Sequence, residues 1–157
     1  MLKVIPDKLL PYKKRLAKYR PAIEQVCIAR DIPTSWGLAF CRQESCFKAD
    51  PPQSTDAGDI RRGGAYGLFQ MTLATAQGLG YHGDGQGLLL PATNIALWAA
   101  LVTQLRKRFG ADNLKDVAAG YNSGHSYAEA PQERTRNPYT FNVVLFAKEF
   151  GWTGPGL

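Results

Sequence analysis

The chain has 157 residues, a net charge of +6, and 45% hydrophobic and 11% aromatic residues. That is enough to bury one substantial core in a single domain, and it excludes global disorder. The basic balance suits an anionic partner (cell-wall polymer, nucleic acid or membrane surface) without choosing among them, and no apolar run approaches the roughly 20 residues that span a bilayer.

Residues 3–20 are basic, with Lys3, Lys8, Lys13, Lys14, Arg15, Lys18 and Arg20 interleaved with Leu9, Tyr12, Leu16 and Tyr19. This stretch reads as an N-terminal arm, residues 1–20, whose apolar stripe packs on the domain. The alternative is a basic patch for an anionic polymer. The domain proper then covers residues 21–157. Pro21 suits the first turn of a helix carrying Ile23, Val26 and Cys27. A second helix is expected from Pro33-Thr34-Ser35 to about Phe47. Trp36, Phe40, Glu44 and Phe47 fall on one side of it. A carboxylate among such neighbours loses hydration, and its neutral form is favoured.

Residues 48–65 read as loop, marked by Pro51-Pro52, Gly58 and Gly63-Gly64, with room for a short hairpin over residues 50–66. Gly67-Leu68-Phe69-Gln70-Met71 is a glycine-led turn holding one amide between apolar neighbours. A short helix over residues 72–79, closed by Gly80, precedes a glycine-rich loop at residues 81–87. The strongest helix spans residues 93–109, with Ile95, Trp98, Leu101, Val102, Leu105 and Phe109 as its stripe and Arg106, Lys107 and Arg108 at its C-terminal end. Leu114, Val117, Ala118 and Tyr121 mark another. The last is expected to open with Asn137 as cap and Pro138 in the first turn, and to stop at Gly151. The class is mainly α, with non-bundle helix packing.

Cys27, Cys41 and Cys46 are an odd set in helical stretches. They read as buried free thiols, with one bridge from Cys27 to Cys41 or Cys46 left open. His82 and His125 are isolated, no zinc-ligand spacing appears, and no metal or other cofactor is expected.

Cleavage of a glycosidic bond needs an acid for the leaving oxygen and stabilisation of an oxocarbenium-like transition state. Glu44 is the well-placed acid. Asp50, Asp56 and Asp59 lie in the following loop and read first as solvated turn residues. Asp56 or Asp59 becomes a candidate for activating water if the loop folds over a cleft.

Four strings in order make a specific signal. Glu44-Ser45 resembles the catalytic "ES" of the soluble lytic transglycosylase and goose-type lysozyme group, within the lysozyme-like superfamily. Gly67-Leu68-Phe69-Gln70 resembles its "GLMQ", with Phe69 in place of Met. Ala119-Gly120-Tyr121-Asn122-Ser123-Gly124 resembles its "AYNAG", and the run from Asn94-Ile95 to Phe109-Gly110 resembles its central helix. Tyr139, after Thr135, resembles the tyrosine of its closing segment.

The resemblance implies a lysozyme-like fold and a peptidoglycan-cleaving enzyme. Glu44 would serve as general acid and then base. Ser45, Gln70, Tyr121, Asn122 and Tyr139 would bind substrate or hold Glu44, and Tyr66 is a further candidate for stacking on a sugar. Transglycosylases of the group let the muramic 6-hydroxyl attack its own anomeric carbon, giving a 1,6-anhydro product. Goose-type muramidases hydrolyse the same bond with help from loop aspartates, here Asp56 or Asp59. The implied partner is the peptidoglycan glycan strand, met by a monomer, with no nucleic acid. A wall-binding protein without turnover and a nucleic-acid binder are the competing classes. The start of the chain lacks secretory features. The expectation is therefore action at the bacterial wall by a phage lysin, a virion enzyme or a delivered effector.

Overall fold

The computed structural model describes residues 5–130 and 138–157. A 3-10 turn at Asp7–Leu9 leads into α1 (Tyr12–Ala29), α2 (Thr34–Ser45) and the short α3 (Ala57–Arg61). Strands β1 (Ala65–Tyr66) and β2 (Met71–Thr72) follow, then α4 (Leu73–Gly78), a 3-10 turn at Gly87–Leu89, α5 (Pro91–Phe109), α6 (Leu114–Ser123) and α7 (Tyr139–Glu149). The mainly helical class expected from the sequence is the class observed, with a two-stranded hairpin. None of these helices is long and apolar enough to cross a membrane.

The strands pair antiparallel, Ala65 with Thr72 and Tyr66 with Met71. The hairpin therefore closes around Gly67-Leu68-Phe69-Gln70, and only its first strand falls in the 50–66 window. The rest of that window is not all loop. Asp56 accepts hydrogen bonds from the N–H groups of Gly58 and Asp59 and so starts α3.

Helix α1 begins at Tyr12, not at Pro21, which lies inside it. An interior proline lacks the N–H its turn needs and costs about 3 kcal/mol in an isolated helix. Here Pro21 faces solvent while Tyr19, Ile23 and Cys27 are buried on the opposite stripe, and that burial carries the helix through. The boundary drawn at residue 20 thus falls within one helix.

The basic segment is also tied down. Asp7, only 4% exposed, accepts from the Tyr19 hydroxyl at 2.5 Å, the Lys18 ammonium at 2.7 Å and the Ala49 N–H at 2.9 Å. Burial works against its charge, but these donors outweigh it and hold the carboxyl below its ordinary value. Arg15 Nε donates to the Cys46 carbonyl at 2.9 Å, and Arg20 pairs with Glu24. Lys8, Lys13 and Lys14 remain exposed.

Helix α2 is the centre of the core. At Gly37 an added Cβ would sit 2.6 Å from Cys27 Sγ and 2.7 Å from Ile23 Cγ2, so only glycine lets α1 pack this close. Trp36 and Phe40 are fully buried. Each large apolar side chain buried in this way stabilises the fold by about 1.5–3 kcal/mol. The helix stops at Ser45, two residues before the expected end at Phe47. Cys46 and Phe47 turn left-handed, at φ of 50° and 59°. Phe47 thereby reaches a buried seat against Tyr12 and Phe150. Burial of that ring outweighs continuation of the helix.

The same turn exposes Cys46, contrary to the expectation of three buried thiols, while Cys27 and Cys41 are buried. Burial pushes the Cys27 thiol up to about 12 and the Cys41 thiol higher still. Helix α5 packs on α1 and α6 and fills the core with Ile95, Trp98, Ala99 and Val102. Helix α7 packs on α2 and α6. It runs Tyr139–Glu149 with Pro138 at the cap position. The expected cap Asn137 lies outside the described residues, as does Thr135.

Candidate active site

Glu44 stands on the last turn of α2, half-buried, at the wall of a cleft. Gln70, Tyr121, Asn122 and Asp59 line the same cleft, so four of the candidates scattered along the sequence meet Glu44 there. Tyr139 joins them from the start of α7. Its hydroxyl donates to Glu44 Oε1 at 2.5 Å. Burial pushes the Glu44 carboxyl up to about 8; the bond from Tyr139 opposes this and the charge of Asp59 adds to it. At neutral pH Glu44 is thus a neutral acid. With Oε1 occupied by Tyr139, Oε2 is left to carry the proton. This is the state required of a general acid.

The loop at residues 67–70 forms the adjoining wall, and one residue of α5 holds it. Asn94 is fully buried. Its Oδ1 accepts from the Phe69 N–H, and its Nδ2 donates to the carbonyls of Tyr66 and Leu88, all at 2.8 Å. Gly67 sits at φ +77°, and a Cβ there would lie 2.5 Å from Asn94 Nδ2 and 2.6 Å from the Leu88 carbonyl oxygen. The glycine that opens the string is therefore required twice, by conformation and by contact. Phe69 is fully buried and stacks on Trp98 at 4.5 Å and 17°.

Gln70 then turns left-handed at φ 47°. Its Nε2 donates to the Gly67 carbonyl at 3.0 Å. Its Oε1 accepts nothing among the described residues. Three of the four described non-glycine residues at positive φ, namely Cys46, Phe47 and Gln70, adjoin the two site strings. Backbone strain of this kind, about 1–3 kcal/mol per residue, is stored where the surrounding packing overdetermines it.

Tyr121 serves core and cleft together. Its ring meets Phe40 edge-on at 5.2 Å, and its hydroxyl donates to the Phe69 carbonyl at 2.6 Å. Burial raises its own pKa well above the ordinary value, so it stays a donor. Asn122 follows on the cleft side.

Ser45 is placed differently. It is buried, and its hydroxyl donates to the Leu68 carbonyl at 2.8 Å. It staples α2 to the loop at residues 67–70 and does not line the cleft. The two loop carboxylates separate as well. Asp59 lines the cleft, with its Oδ2 bonded by Ser54 at 2.5 Å. Asp56 lies outside the lining and caps α3, its Oδ1 bonded by Gly58 and Asp59 N–H groups. Asp50 is exposed. Tyr66 packs under Gly64 and Gly85 and donates to the Gly63 carbonyl, away from the cleft lining.

Sequence reasoning missed Asn94 as a clamp and Ser54, Arg62, Thr72, Thr75 and Leu101 as lining. Asn94 had a signal: a polar residue opening the apolar stripe of a buried helix. The others had none: Ser54 and Arg62 line the cleft through the fold of the 50–65 segment, and Thr72, Thr75 and Leu101 through the packing of β2, α4 and α5 around it. No group of three or more His, Cys, Asp or Glu among the described residues is arranged to hold a metal ion.

No curated protein matches this sequence. Among solved structures, an inactive mutant of lytic transglycosylase Slt from Pseudomonas aeruginosa is similar, with TM-score 0.64 and 24% identity over 85% of this chain. The 70 kDa soluble lytic transglycosylase of Escherichia coli is similar too, with TM-score 0.65 and 21% identity over 85% of this chain. These likenesses concern the fold, and this chain covers only 24% of either of those chains. The family model for the transglycosylase SLT domain matches residues 23–143, from α1 through the cleft to α7. With most of its length and the whole Glu44 cleft inside that match, the chain belongs to the transglycosylase SLT domain family.

Proposed function

We propose that the chain cleaves the β-1,4 bond between N-acetylmuramic acid and N-acetylglucosamine in peptidoglycan, by lytic transglycosylation. The observation that carries this reading is the Glu44 carboxyl, raised to about 8 by burial and held by Tyr139 beside a polar cleft. Glu44 gives its proton to the glycosidic oxygen as the bond to the anomeric carbon breaks. The resulting carboxylate takes the proton of the muramic 6-hydroxyl as that oxygen attacks the anomeric carbon. The products are a shortened glycan and a 1,6-anhydromuramyl end; no water is consumed. Gln70 and Asn122 offer donors and acceptors to the acetamido groups, and Tyr121 walls the sugar. Ser45 supports Glu44 indirectly, through the loop it staples.

A second reading rests on Asp59. It shares the cleft with Glu44, and its charge is felt there. Asp59 as the base for a water molecule would make the enzyme a goose-type muramidase with reducing-end products. Asp56, occupied as a helix cap, is the weaker candidate for that task.

Mass spectrometry of muropeptides released from purified peptidoglycan tests both, with Glu44→Gln as control. Products one water lighter than reducing-end muropeptides support transglycosylation. Reducing ends, lost in Asp59→Asn, support hydrolysis. No release by the unaltered protein overturns both.

A further inference from the structure

The cleft that Glu44 lines also carries a cation that the reaction above does not use. Arg62 follows α3 at its C-cap and lines the cleft. Its main chain is fixed on both sides. The N–H donates to the carbonyls of Gly58 and Asp59, and the carbonyl accepts from the Ala74 N–H at 3.0 Å. Its guanidinium has no ion-pair or side-chain hydrogen-bond partner among the described residues. Other arginines differ: Arg15, Arg106 and Arg108 are spent on main-chain carbonyls and Arg42 on Glu149. Asp59, which shares the cleft lining, is engaged by Ser54 and forms no ion pair with Arg62. The neighbouring Arg61 is also exposed but lies outside the cleft.

Sugar hydroxyls and acetamido groups need no cation. An exposed guanidinium with its donors open, carried on a main chain held on both sides, is suited to a carboxylate, which it meets with two parallel bonds. We propose that Arg62 binds a carboxylate carried on the muramyl substituent of the glycan and so selects acidic strands over neutral ones. The inference rests on the proposed function. That substituent presents carboxylates in two forms: on its peptide, or on the free lactyl group once the peptide is removed.

The test uses affinity in the full chain carrying Glu44→Gln, so that turnover does not intervene. The ligands are a peptide-bearing muramyl tetrasaccharide, the same tetrasaccharide stripped of peptide, and chitotetraose as the neutral probe. Adding Arg62→Gln is expected to weaken at least one acidic ligand by about threefold to tenfold, the range of an accessible charge-assisted pair. Chitotetraose should stay within about twofold. Arg62→Lys should recover part of the loss, and the difference should shrink as salt rises. A loss confined to the peptide-bearing ligand assigns the peptide carboxylate; one confined to the stripped ligand assigns the lactyl group. An equal loss for all three ligands, or no loss for either acidic one, overturns the proposal. Muropeptide release by the unaltered protein is read separately. Its failure strikes the proposed function, while the affinity series still decides the role of Arg62.

Discussion

The two walls of the cleft are built in opposite ways. On the Glu44 side, α2, the loop at residues 67–70, α6 and α7 share a continuous core, with Phe40, Phe69 and Trp98 fully buried directly behind the site. On the other side, not one residue from 50 to 64 is buried. That wall is shaped by local side-chain bonds from Ser54, Asp56 and Asp59, and by main-chain bonds linking it to α4. On the proposed function, the contrast separates two jobs. A proton donor must be held in one geometry and kept from water, which a packed core does well. A polymer must enter and leave, which suits a wall of low local stability.

Five measurements test this contrast. Glu44→Gln is expected to lower muropeptide release about a thousandfold while leaving the fold intact, because it removes the proton and keeps the shape. Circular dichroism alongside the activity assay checks both halves. Asn94→Ala comes next. It strands the Phe69 N–H and the Tyr66 and Leu88 carbonyls and should cost about 3 kcal/mol, a drop of roughly 10 °C in Tm. Tyr139→Phe should cost about tenfold in kcat/KM. It should also move the alkaline limb of the pH profile upward, because the hydroxyl it removes is what pulls the Glu44 pKa down.

A smaller effect concerns stability against pH. The Glu44 carboxyl is raised from its ordinary 4.5 to about 8 in the fold, so the folded state binds the extra proton between those values. The stability carried by the neutral form is complete below pH 4.5 and is lost as pH rises through 8. Glu44→Gln does not suffer this loss and should be more stable than the unaltered chain above pH 8 by about 1–2 kcal/mol, as read by urea denaturation. Smallest is Asp56→Ala, which removes the cap of α3 and should cost about 1 kcal/mol. The comparison of walls predicts that this loss stays local: faster amide exchange at Gly58 and Asp59 with little change in global Tm. A fall in Tm matching that of Asn94→Ala would mean that the two walls unfold as one unit.

Much of the packed side was legible in advance. Periodicity found α2, α5, α6 and α7 because their stripes face one core, and the four strings fell where those helices meet. The exposed side was not legible, since α3 depends on a single aspartate cap, and Asp56 and Asp59 look alike until one is turned outward. Pro21 misled for a related reason. Proline's local preference for a first turn was overruled by buried Tyr19, Ile23 and Cys27, whose contacts come from α2 and beyond. Asp7 drew no notice within a basic segment, yet it is among the most buried charged side chains, because Tyr19, Lys18 and the distant Ala49 N–H converge on it.

Apolar spacing and residue chemistry are local properties, so the helical class and the strings around Glu44 could be read from the order of residues alone. Tertiary structure alone decided what those residues do for one another. It put Tyr139 on Glu44, Ser45 on the Leu68 carbonyl, Asn94 across the loop at residues 67–70, and Asp59 but not Asp56 in the cleft. Each of these joins residues far apart in the chain, or chooses between near neighbours by the direction of one turn. Burial and hydrogen-bond partners of that kind exist only once the helices have packed.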